Sequence, residues 1–173
     1  MRSGLAVLAI LATVVAAVSA GAAEVMIDNR FIDDKSSDCG VRGWKYNPVE
    51  SYKPYGEVAG VVRDGVAGVS IRSTGRVTTI VLQEHLHVKP GERYRMSAEV
   101  RGKGRFSMAV FQAEFPWKWR GVQGDNQHLK AEPQMMEQLV TVPEKVERMY
   151  PAISVTAGSE VELLNFRLEK LDD

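Results

Sequence analysis

Trp117 and Trp119 stand two residues apart in the run Phe115-Pro116-Trp117-Lys118-Trp119-Arg120-Gly121. In extended backbone, side chains alternate between faces, so both indoles would share one. Flat apolar rings flanked by polar side chains suit the uptake of a sugar. The rings stack on the C–H faces of a pyranose, and the polar groups meet its hydroxyls. Lys118, Arg120, Gln123, Asp125, Asn126 and Gln127 follow at once. The expected ligand-binding set is Trp117, Trp119, Arg120, Gln123, Asp125 and Asn126. The competing structural reading has one of the two tryptophans anchoring its loop in the core.

Other residues invite weaker readings. His85-Leu86-His87 would put two imidazoles on one strand face, a metal-chelating spacing. A third ligand would have to come from His128, Glu84 or another carboxylate, so no metal site is expected. Tyr46, Tyr52 and Tyr55 lie with Pro48 and Pro54 in a stretch that aromatic packing would pin onto itself. Arg93, Arg95, Ser97, Glu99 and Arg101 form a polar strand face, either a glycan-bonding cleft or, as expected here, a solvated face. Glu84, Glu99 and Glu114 fall on expected strands, but nothing marks two of them as an acid–base pair. No nucleophile-elbow sequence, phosphate-cradling loop or dinucleotide fingerprint occurs. No catalytic residue is assigned, and a non-enzyme is expected.

The elements that must position these residues are strands. Tyr94, Met96, Ala98 and Val100 alternate with the polar residues of the same run, the mark of a half-buried strand. Further strands are expected at Glu24–Asp28, Glu57–Arg63, Gly68–Ser73, Thr78–Val88, Phe106–Phe115, Glu137–Val142, Met149–Thr156 and Glu160–Leu171. Asp64-Gly65, Thr74-Gly75, Lys89-Pro90-Gly91, Val142-Pro143 and Ala157-Gly158 supply the turns. Gly102-Lys103-Gly104 predicts a hairpin between the strand from Arg93 and the strand from Phe106. In the last strand Val161 and Leu163 share one parity, and Leu164, Phe166 and Leu168 the other, which a bulge near Leu163-Leu164 would explain. Ile32–Gly43 and Lys118–Gln134 read as irregular, with a short helix around Pro133–Leu139. The pattern implies an all-β, two-sheet antiparallel sandwich, jelly-roll or barrel.

The amino terminus reads as a secretory signal peptide over residues 1–23. Arg2 is followed by an apolar run from Leu5 to Val18 and by small residues, with cleavage after Ala20 or Ala23. One domain, 24–173, remains, and the expected location is secreted or periplasmic, without stable membrane insertion. The whole chain carries 22 basic and 22 acidic residues, so it has no global pull on nucleic acid. The single cysteine, Cys39, has no partner for an internal disulfide and is expected to be a buried, inert thiol.

A set of segments then carries a resemblance: Asn29-Arg30-Phe31, Gly43-Trp44, Gly68-Val69-Ser70-Ile71, Val88-Lys89-Pro90-Gly91-Glu92-Arg93-Tyr94 with its strand to Arg101, and Val161-Glu162-Leu163-Leu164-Asn165-Phe166-Arg167-Leu168. The chain resembles carbohydrate-binding modules with a galactose-binding-like jelly-roll, the group that includes xylan- and glucan-binding modules of bacterial glycoside hydrolases. The resemblance implies a two-sheet jelly-roll and a non-catalytic carbohydrate ligand, with a secreted enzyme or envelope protein as a further partner. Many such modules hold a structural calcium through an acidic residue in the final strand. Leu164-Asn165 stands there, and Asp33 and Asp34 follow the early Phe31 at a displaced position, so no calcium ligands and no cofactor are assigned. Trp44 and Tyr94 are expected in the core. Two other readings remain: an envelope interaction module without a sugar site, and a small polysaccharide-degrading enzyme in which Arg95, His85 and Tyr94 would converge.

Overall fold

The structure, a computed structural model, describes residues 23–28, 31–32, 35–47, 56–115 and 118–172. Residues 1–22 of the expected signal peptide, Asp33, Asp34, Tyr52, Tyr55, Trp117 and the side chain of Trp119 lie outside the described residues. Within them run thirteen strands and no helix: β1 Glu24–Asp28, β2 Trp44–Tyr46, β3 Gly56–Arg63, β4 Val66–Ser73, β5 Thr78–Leu82, β6 Leu86–His87, β7 Arg93–Lys103, β8 Arg105–Glu114, β9 Lys118–Gln123, β10 Gln127–His128, β11 Gln134–Thr141, β12 Arg148–Val155 and β13 Glu160–Leu171.

They form two antiparallel sheets. One runs β11-β7-β13-β4-β3, with β1 also on β13; the other runs β10-β8-β12-β5-β2, with β6 on β12 and β9 on β8. The inward parities of both sheets meet in one core. Met96, Ala98, Val100, Leu163 and Phe166 face Phe106, Met108, Val110, Met149 and Ile153. Trp44 is fully buried there, its ring 5.2 Å from Phe31 and 5.7 Å from Phe166. Tyr94 is buried as well. The expected all-β two-sheet sandwich is the observed fold, and Trp44 and Tyr94 are core aromatics. Cys39 is a buried free thiol whose pKa burial pushes up.

Local chemistry fixes several junctions. Asp64 and Gly65 both take positive φ between the paired residues Arg63 and Val66, the two-residue turn that matches strand twist in a hairpin. At Lys89-Pro90-Gly91 the Glu92 carboxylate accepts from the Lys89 amide (2.9 Å), the Tyr94 hydroxyl (2.8 Å) and Lys170 Nζ (2.6 Å), while the Gly91 amide donates to Val142 (2.9 Å). This buckle joins the start of β7 to the end of β13. Burial works to raise the Glu92 pKa, but those three donors outweigh it and hold the carboxyl below its usual value. In β13 the pairing with β7 shifts between Leu164 and Arg167, and Asn165 takes a φ of 51°. The bulge inverts the strand's parity where its other neighbour changes from β4 to β1.

Four local expectations are corrected. The strands from Arg93 and Arg105 do not form a hairpin; β7 and β8 lie in different sheets. At Gly102, φ is 139° and a Cβ would come within 2.0 Å of the Glu160 carbonyl oxygen, so the chain crosses between sheets hard against the start of β13. The segment around Pro133–Leu139 is not helical. It is strand β11, whose eight residues pair with β7 and alternate in exposure with period two. Lys118–Gln134 is not irregular throughout, because β9 and β10 pair along one edge of β8. Thr78–Val88 is interrupted, with β5 and β6 docking at different points along β12.

Candidate functional site

The two outer faces of the sandwich differ in chemistry. On the six-stranded sheet the polar face of β7 is tied down by ion pairs. Arg95 reaches Glu169 (2.7 Å), Arg101 and Arg63 converge on Glu162 (2.6 and 3.0 Å), and Arg167 reaches Asp28 (3.2 Å). Burial works to raise the Glu162 pKa, but Arg63 and Arg101 outweigh it and hold the pKa below its usual value. A depression of about 540 Å³ lies among Arg95, Ser97, Glu137, Arg167 and Glu169, with no aromatic side chain in its lining.

The seven-stranded sheet builds a different surface. Cross-strand register sets its outward residues in rows. One row runs His87, Arg148, Ala113; the next Tyr150, Phe111, Val122; the next Lys45, Val81, Ala152, Ala109; then Thr79, Ser154, Ser107. Val81, Phe111 and Ala152 form a second small apolar cluster with Tyr150 packed against it, across the sheet from the main core. The floor is close-packed, with Phe111 only 6% exposed, whereas Val122 (53%) and Phe115 (61%) open to solvent along the β8–β9 edge.

Rings gather at one end of this face. His85 lies 5.6 Å from Tyr150 and 4.6 Å from His87, centroid to centroid. The Arg148 guanidinium sits 5.1 Å over the Phe115 ring. The Tyr150 hydroxyl and His85 Nε2 are both buried and make no hydrogen bond within the chain. Burial, then Arg148 and His87, hold the His85 pKa below its ordinary value. The ring cluster therefore encloses two polar atoms that the chain leaves without a hydrogen-bond partner. No group of three or more His, Cys, Asp or Glu able to hold a metal occurs among the described residues.

The structure does not gather the expected ligand-binding residues on this face: Trp117 lies outside the described residues, and Gln123 pairs with the core residue Val110, so it shares the inward parity of β8. The backbone of Trp119 pairs with Ala113. Arg120 is exposed and paired with Glu114, and the Gln123 side chain accepts from Gln112 (3.2 Å). Asp125 and Asn126 are exposed in the β9–β10 connection, where the Asp125 amide donates to Gln138 Oε1 (3.1 Å). Arg95, His85 and Tyr94 do not converge: Arg95 lies on the outer face of the six-stranded sheet, Tyr94 in the core and His85 beside Tyr150. The sequence reasoning missed Phe111 and Tyr150 as site residues. The available signal was their shared outward parity with the small residues of β8 and β12, which becomes readable only once those strands are known to be neighbours.

No family model matches the chain, and no curated protein matches it. Solved structures do. The enzymatically active domain of bacteriophage CBA120 tailspike protein 4 matches with a TM-score of 0.62 and 9% identity, over 83% of this chain and 22% of that one. The CBM22-1 xylan-binding domain of Paenibacillus barcinonensis Xyn10C gives 0.59 and 12%, over 88% and 97%. The CBM22-1–GH10 modules of Clostridium thermocellum Xyn10B, complexed with xylohexaose, give 0.58 and 11%, over 83% and 28%. The chain thus spans under a third of the tailspike and xylanase chains but nearly all of the isolated xylan-binding domain. At such identities the likeness concerns the fold, and this chain has the two-sheet β-sandwich fold of carbohydrate-binding modules.

Proposed function

We propose that this protein is an exported, non-catalytic carbohydrate-binding module. It holds an oligo- or polysaccharide against the outer face of the seven-stranded sheet, by stacking on Tyr150, Phe115, Trp117 and Trp119 and by hydrogen bonds from neighbouring polar side chains. The observation that carries the reading is the pair of buried polar atoms, Tyr150 Oη and His85 Nε2, left unbonded within a ring cluster. An unpaired buried polar group costs roughly 1–3 kcal/mol, so a ligand hydroxyl that reaches it by displacing the rings that cover it is favoured. The fold supports the reading, since xylan-binding domains are built on it. Trp117, Trp119, Arg120, Gln123, Asp125 and Asn126 are proposed as further contacts to the same ligand.

The test is a glycan-array screen of the purified protein, followed by calorimetric titration of any hit. Saturable binding that Tyr150→Ala and Trp119→Ala each weaken, and that Arg95→Ala on the opposite face leaves intact, is the expected result. Absence of binding to plant, algal and bacterial glycans alike would remove the sugar-binding reading. Export is tested separately by amino-terminal sequencing of the secreted or periplasmic protein, with Gly21 or Glu24 expected as the first residue.

A further inference from the structure

The charges on the two faces are arranged differently, and the difference bears on which sugars the proposed site takes. On the six-stranded sheet, arginines and carboxylates neutralise one another across strands. On the seven-stranded sheet the outward rows carry the cations Lys45, Arg148 and Arg105 beside the imidazoles of His87 and His128, and among the described residues these rows contain no Asp or Glu. At strand rise, Arg148 with His87 marks one end, the Lys45 row lies ~14 Å along, and the Arg105–His128 pair closes the far end at ~27 Å. Arg105 donates to His128 Nε2 at 2.7 Å, and Lys45 makes no ion pair among the described residues. In a nearly neutral protein, this concentrates positive potential on one face.

We propose that the ligand is an acidic polysaccharide, one whose repeating sugars carry carboxylate or sulfate groups, lying along the strands of the seven-stranded sheet. The inference rests on the sugar-binding reading and adds its charge. A neutral glycan would pay to desolvate Lys45, Arg105 and Arg148 and gain no Coulomb attraction in return. An anionic one meets them with charge-assisted hydrogen bonds, while its ring faces still stack on the aromatics. Uronate carboxylates and sulfate esters are both anions that such cations recognise, so the test separates them.

The purified protein is titrated with four probes: a polyuronate bearing carboxylates only, a sulfated galactan bearing sulfates only, neutral xylan and galactan, and polyglutamate as a non-sugar polyanion. At low salt, one of the acidic glycans should bind at least about tenfold tighter than the neutral ones and lose most of that advantage once the screening length falls to ~3 Å near 1 M salt. Which acidic probe binds identifies the anion. Lys45→Glu and Arg105→Glu should each weaken that binding, and Arg72→Glu, an equal charge change on the other sheet, should not. If neutral glycans bind as tightly, the charge inference fails and the sugar-binding reading stands. If polyglutamate matches the acidic glycans, the face is a general anion surface and the proposal fails. If nothing binds, both readings fall together.

Discussion

The Tyr150 hydroxyl is buried with no partner in the chain, and the residue packs beside His85 and against the cluster of Val81, Phe111 and Ala152. Such a group lowers the stability of the unliganded protein, and removing it should raise that stability. Tyr150→Phe is expected to stabilise the free protein by about 1 kcal/mol, read as a higher urea midpoint at unchanged slope. The same change should weaken binding of a glycan hit by roughly fivefold, the worth of one neutral hydrogen bond. A fall in stability would mean that the hydroxyl is bonded in the folded protein, and the site reading would lose its main support. The ring cluster was not legible in the sequence, because Phe111, Tyr150 and His85 lie on different elements and meet only through the order of the strands. Trp117 and Trp119 drew notice because their spacing alone suggests a shared face. Burial of Trp44 and Tyr94 was legible for a similar reason: each is an aromatic set in or beside a strong local signal.

Strands with one buried face were legible as elements because period two survives any choice of neighbour. β1 appears with the expected bounds, and Tyr94, Met96, Ala98 and Val100 of β7 are all buried as expected, though Ser97 between them is buried too. Connections were less legible. Gly102-Lys103-Gly104 has the composition of a hairpin turn, and composition does not say whether the next strand folds back onto its predecessor or passes to the other sheet. Here β13 already occupies the edge of β7 that a hairpin would need, and β11 the other edge. Two substitutions test these junctions. Gly102→Ala pushes a Cβ into the Glu160 carbonyl at a left-handed φ and should cost about 2–4 kcal/mol. Asn165→Val places a β-branched residue at a φ of 51° and should cost about 1–2 kcal/mol, while Asn165→Gly should be close to neutral. Chemical denaturation reads all three. If Asn165→Val were as stable as the parent, the bulge could not depend on that backbone conformation.

At the scale of the whole molecule, the two faces titrate in different ranges of pH. His85 on the ring-lined face has a folded pKa below its ordinary 6.5, from burial first and then from Arg148 and His87. The unfolded chain therefore binds the proton first. Stability is fully present above 6.5 and falls as pH drops from there through the folded value. Glu92 and Glu162, at the buckle and in the ion-pair face, have folded pKa values below 4.5, because their donors outweigh burial. Their contribution is complete above 4.5 and is lost as pH falls through the folded values. Urea unfolding across pH should therefore show two declines separated by a shallower stretch. His85→Gln should flatten the upper decline and leave the lower one. Glu92→Gln and Glu162→Gln should each lower stability at neutral pH and flatten the lower decline. A single decline confined below 4.5, with His85→Gln indistinguishable from the parent, would show that His85 titrates in the folded protein as it does in water. In that case the imidazole would not be enclosed beside Tyr150, and the neutral polar pair that the proposed sugar site needs would be reduced to the hydroxyl alone.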